Sequence, residues 1–97
     1  MYAQIVETQL SRERLSELGG AVRRELLPAL RSEPGFCGAL SLVERERGAV
    51  LLVVLWETKE AAGPHASLAA AFGETSSILT ALLTSSSVRV WEVNARG

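Results

Sequence analysis

Aspartate is missing from this chain altogether, and histidine, lysine, cysteine and tyrosine occur once each, as His65, Lys59, Cys37 and Tyr2. Each scarcity removes a class of function. One cysteine and one histidine do not make an ordinary zinc site, and a chain without aspartate has no acidic loop for calcium. A lone thiol has no intrachain partner, so a disulfide framework is excluded and a reducing compartment is allowed. Nothing cationic neighbours Cys37 to activate it, and it reads as an inert strand cysteine. There is no glycine-rich phosphate loop and no Ser–His–Asp set. Ten lysines and arginines stand against eleven glutamates, for a net charge of −1. That balance gives no electrostatic reason to expect nucleic acid or an anionic membrane as partner. No apolar run is long enough to span a bilayer, and no basic start leads into an apolar stretch, so the expectation is a cytoplasmic protein without a signal peptide.

What is present is dominated by Ala49 to Trp56, AVLLVVLW, opened by Gly48 and closed by Glu57. Eight consecutive apolar residues of this kind read as a strand buried on both faces. Val50, Leu52, Val54 and Trp56 point one way, and Ala49, Leu51, Val53 and Leu55 point the other. Which set meets the rest of the chain stays open at this stage. The length of 97 residues gives a single domain, 1–97, with one modest core.

The other elements follow in order. Tyr2 to Gln9 reads as a first strand. Ser11 then fits a helix N-cap, and from Arg12 to about Arg31 the residues Leu15, Leu18, Val22, Leu26, Ala29 and Leu30 form one helical stripe. Glu13, Glu17, Arg24 and Arg31 fall on the solvent side. Gly19, Gly20 and Pro28 are unfavourable inside a helix, so it is expected to bend or to end early. Glu33 to Phe36 is a Pro–Gly turn, Cys37 to Glu46 a second strand, and Arg45 to Gly48 a polar hairpin tip. In the second strand Leu40 and Leu42 share one face, opposite Ala39, Ser41 and Val43. Thr58 caps a second helix that Gly63–Pro64 interrupts, and Ala61, His65, Leu68, Ala69 and Phe72 share its inward face. A short third helix carries Ile78, Leu79, Leu82 and Leu83. Val88 to Asn94 alternates as a last strand, followed by a tail.

The order β-α-β-β-α-β predicts a ferredoxin-like α+β fold: a four-stranded antiparallel sheet with its helices on one face. Helices on one face leave half of AVLLVVLW uncovered, and no element remains to cover it. An exposed sheet face should be polar, and this one is apolar. A second copy packed sheet to sheet is the economical cover, so a homodimer is expected.

Pro34-Gly35-Phe36 with Gly38 opens the second strand. Gly48 opens the long apolar strand, which ends in Trp56-Glu57-Thr58-Lys59-Glu60-Ala61, and His65 follows on the next helix. On these residues the chain resembles the antibiotic biosynthesis monooxygenase (ABM) domain of the dimeric α+β barrel superfamily. The resemblance implies a dimeric barrel with a pocket between sheet and helices in each subunit. It also implies activities that range from cofactor-independent oxygenases of aromatic polyketides to haem degradation and lactone isomerisation. Gly63–Pro64 departs from the continuous helix usual there. The haem-degrading relatives use an asparagine in the first strand and a Trp–His pair around the second helix. The first strand here has no asparagine, and His65 falls where their tryptophan would be, so haem degradation is not carried over.

His65 is the natural general acid or base, because its ordinary pKa lies near neutrality; partial desolvation on an inward helix face would keep it neutral at pH 7. The plainer reading is a histidine at the edge of the core. Trp56 is the expected stacking wall for an aromatic ligand, with Leu68, Phe72, Tyr2 and Trp91 as further lining; for each of these plain packing is the alternative. An RNA-binding sheet of the same strand order would need aromatic platforms and basic charge, which the aliphatic third strand and net charge do not supply. Two functions remain open. One is a cofactor-free oxygenase or isomerase acting on a small phenolic or polyketide-like compound, with no metal, flavin or haem. The other is a non-catalytic ligand-binding or structural dimer.

Overall fold

The computed structural model describes residues 1–62 and 87–97. Its elements are β1 (Tyr2–Gln9), α1 (Arg12–Ala21), a π-helical turn (Val22–Leu26), α2 (Leu27–Arg31), β2 (Phe36–Glu44), β3 (Ala49–Trp56), α3 (Lys59–Ala62) and β4 (Ser87–Glu92). The strands form one antiparallel sheet in the order β2-β3-β1-β4. The apolar strand β3 is therefore central, between its hairpin partner β2 and the first strand β1. This is the ferredoxin-like α+β arrangement expected from the element order.

The register decides which side of β3 meets the helices. Val50, Leu52, Val54 and Trp56 are buried, and they form one cluster with Val6 of β1 and with Leu15, Leu18, Val22, Leu26 and Leu30 of the long helical segment. Ala62 of α3 joins the same cluster, so the described helices all lie on this face. The opposite face holds Ile5 and Leu55, both half-buried, with Leu40 at 56 %, Leu42 at 48 %, Leu51 at 36 % and Trp91 at 55 % exposure. No described element covers them.

Local chemistry explains the boundaries. The Ser11 hydroxyl accepts the Arg14 N–H at 3.4 Å, and the Thr58 hydroxyl accepts the Ala61 N–H at 3.1 Å, so both expected N-caps are present. The first helical segment does not end early: helical residues run on to Arg31. Pro28 has no N–H, and in an α-helix its ring would press on the carbonyl of Arg24 four residues back. A π turn just before it absorbs the misfit, with the Leu27 N–H reaching back five residues to the Val22 carbonyl. Pro28 itself stays exposed at the start of α2. The expected β2 shifts by a residue at its start and ends at Glu44, because the chain turns over Arg45 to Gly48; β4 runs from Ser87 to Glu92 rather than from Val88 to Asn94.

Two glycines hold tight junctions. Gly48, at φ 65°, gives its carbonyl to the Leu10 N–H at 2.8 Å, and a side chain there would collide with the Leu10 carbonyl oxygen. Gly35, at φ 83°, gives its carbonyl to the Glu57 N–H at 2.7 Å, and a Cβ there would come within 2.9 Å of the Ala61 Cβ. The Pro–Gly turn is thereby tied to the exit of β3, next to the start of α3.

Candidate functional site

The helix-side end of the central strands gathers three of the four aromatic side chains of the described residues and their one buried polar side chain. Pairing places Tyr2 of β1 opposite Trp56 of β3, and Trp56 opposite Phe36 of β2, so all three rings rise from one face. Phe36 meets Trp56 edge to face, with ring centroids 6.0 Å apart and planes at 76°. Gln4 stands two residues along β1 on the same face. It is 1 % exposed, and its side-chain oxygen accepts the Trp56 indole N–H at 3.0 Å. Among the described residues Gln4 is the one buried polar side chain. Across β4, its register partner is Val90, which is 40 % exposed on that same side of the sheet.

The structure brings Tyr2 and Trp56 together and separates Trp91 from them. Trp91 pairs with Ala3 and Ala3 with Leu55, which puts the Trp91 side chain on the uncovered face. Trp56 is 4 % exposed and enclosed by Phe36 and Gln4. His65, Leu68 and Phe72 lie outside the described residues, as do the expected third helix and the interruption at Gly63–Pro64. Gln4 is the residue that sequence reasoning passed over. Its signal was a glutamine alternating with Tyr2 and Val6 in YAQIVETQ, readable only once that face is known to be the covered one.

The remaining polar groups sit at the periphery. Arg47 makes a bidentate pair with Glu44 across the hairpin tip, both contacts 2.7 Å, and that carboxylate holds the Arg47 guanidinium above its ordinary pKa. Arg89 and Glu7 pair at 3.1 Å on the uncovered face. Both pairs are solvent-exposed and worth little to stability. Cys37 is exposed beside a β-bulge, its thiol 3.5 Å from the Gly35 carbonyl. A groove of about 230 Å³ runs between α1 and β2, bordered by Leu18, Gly19, Arg23, Ser41 and Arg45. Among the described residues no group of three His, Cys or Glu side chains stands close enough to hold a metal ion, and no helix is long and apolar enough to cross a membrane.

No family model matches the chain, and no curated protein matches it in sequence. Solved structures do match in fold. Rv0793 from Mycobacterium tuberculosis superposes with a TM-score of 0.58 over 98 % of this chain and 96 % of its own, at 18 % identity. A monooxygenase from Streptomyces coelicolor, solved with the ligand nanaomycin D, superposes with a TM-score of 0.61 over 98 % of this chain and 88 % of its own, also at 18 % identity. At that identity the likeness is one of fold. That fold is the ferredoxin-like α+β arrangement seen in the described residues.

Proposed function

We propose that the protein is a homodimeric ABM-type oxygenase that works without a cofactor on a small phenolic or polyketide-like compound. Its pocket lies between the helix side of the sheet and the segment that carries His65. The observation that carries this reading is the likeness in fold to a monooxygenase solved with a small-molecule ligand. The ring-lined end of the sheet around Tyr2, Phe36 and Trp56 supports it, since aromatic walls suit an aromatic ligand. The uncovered apolar face supports the dimer: exposed leucines on β2 and β3, with Trp91 on the same face at the far edge of the sheet, mark an interface.

In the proposed reaction His65 accepts the phenolic proton. The electron-rich phenolate passes an electron to O₂, and the two radicals combine at ring carbon to give a hydroperoxide. Loss of water leaves a carbonyl, so that a ring CH₂ and O₂ become C=O and H₂O. The protein supplies the base, the orientation and a dry cavity. The test is oxygen uptake in aerated buffer with a panel of anthrone-like and hydroquinone-like compounds. His65→Ala is expected to lower turnover of an accepted compound by ~10²-fold or more while the chain stays folded. Equal turnover by wild type and variant refutes the role of His65. Absence of consumption across the panel favours the second reading, a non-catalytic binding dimer. One observation speaks for that reading: among the described residues, the covered side of the sheet buries a single polar side chain, Gln4.

A further inference from the structure

We propose that the groove between α1 and β2 is a binding site for a small amphipathic carboxylate, a short apolar body with an acid at one end. The site is independent of the pocket proposed above. It lies along β2, while the chain leaves the described residues after Ala62 and returns at Ser87 on β4, the opposite edge of the sheet. Its floor is apolar. Leu15, Leu18 and Val22 of the helical segment are buried, and they line it together with Val43, which is 40 % exposed on the helix side of the edge strand. Its volume of about 230 Å³ exceeds the ~150 Å³ that admits benzene, so it takes a ring or chain of roughly eight to ten carbon atoms. The face left uncovered by the helices is on the other side of the sheet, so a sheet-to-sheet dimer leaves this groove accessible.

The charge of the lining selects the head group. Arg23 and Arg45 both line the groove, and the Ser41 hydroxyl stands with them as a neutral donor. An adjoining hollow of about 310 Å³ shares Leu15 and Arg45 and adds Arg12 and Glu46, so three guanidiniums meet one carboxylate along the trough. A guanidinium fork matches a carboxylate, and the excess of cations is complementary to an anion. Gly19 keeps the groove open. Glycine is unfavourable inside a helix, and among the described residues the nearest neighbour of a Cβ at this position would be the Arg23 guanidinium at 3.5 Å, an ordinary contact. No described neighbour therefore forces glycine here. Its missing side chain leaves room beneath Arg23, which lies in the π turn one helical turn later.

The experiment titrates methyl-labelled protein with octanoate, 1-octanol and acetate and follows the methyl NMR signals. Octanoate is expected to shift Leu15, Leu18, Val22 and Val43 with a Kd of about 1 mM, 1-octanol to bind at least ~3-fold more weakly, and acetate to give no saturable shift. Replacing Arg23 and Arg45 together by glutamine should weaken octanoate ~10-fold and leave 1-octanol within ~2-fold. Both arginines are exposed, so this variant should stay folded. Gly19→Leu should keep or raise the melting temperature through its helix propensity, and should abolish the octanoate shifts by filling the groove. Shifts confined to Leu40, Leu42 and Leu51 put the acid on the uncovered face and overturn the proposal, as does the lack of a saturable shift up to about 20 mM octanoate. Equal binding of octanoate by wild type and the double arginine variant, or of octanoate and 1-octanol by wild type, overturns the recognition of the acid. Undiminished binding by Gly19→Leu excludes the groove as the site.

Discussion

Replacing Val53 by aspartate should split the proposed dimer while leaving the subunit folded. Val53 sits in the middle of the uncovered face, between Leu40 of β2 and Ile5 of β1, on the strand that is central to the sheet. Its side chain points away from the helices, as do the exposed Leu40, Leu42 and Leu51 around it. In an isolated subunit the new carboxylate faces water and costs little. In a face-to-face dimer it is buried without a partner, at about 3 kcal/mol or more. A two-fold interface repeats the substitution, giving about 6 kcal/mol in all, or a dimer weakened ~10⁴-fold. Val43→Asp is the control. Val43 is 40 % exposed but pairs with Val50, on the helix side of the edge strand, and should leave association unchanged. Light scattering across nanomolar to micromolar concentrations reads the outcome directly. Wild type should have twice the monomer mass, Val53→Asp the monomer mass, and Val43→Asp the wild-type mass. A wild type that is a clean monomer at micromolar concentration refutes the reasoning, as does a Val53→Asp variant that remains dimeric.

Other substitutions test the fold. Gly48→Ala should destabilise by about 1–3 kcal/mol, because a side chain at φ 65° is strained and meets the Leu10 carbonyl; an unchanged chemical-denaturation midpoint would argue against that junction. Pro28→Ala should raise the melting temperature by about 4–8 °C for each kcal/mol of restored helix propensity, and a lower melting temperature would mean that the proline is not the source of the π turn. Leu18→Ala, at a core position 1 % exposed, should cost about 2–5 kcal/mol in urea unfolding, and a loss below 1 kcal/mol would show that α1 is not packed on the sheet as described.

Much of the scaffold is legible in one dimension because its signals are local. Ala49–Trp56 and Tyr2–Gln9 have the ends that their apolar runs and flanking turn residues mark. Ser11 and Thr58 cap the helices they precede, and the stripe from Leu15 to Leu30 is the stripe that is buried. The site was less legible. Alternation along a strand sorts residues into two sets but carries no sign, so it could not tell that Gln4 and Trp56 share the covered side while Trp91 belongs to the other.

Sequence by itself therefore determined the four strands, the first helical segment, the fold class and the existence of an apolar sheet face that no described element covers, since periodicity and turn chemistry act within a few residues of chain. Only the tertiary structure decided which face is covered, how the helix passes Pro28, and that a glutamine and a tryptophan 52 residues apart meet in the buried layer. The physical reason is that each of these depends on strand register and packing between distant segments, and register is set by the whole sheet rather than by any one strand.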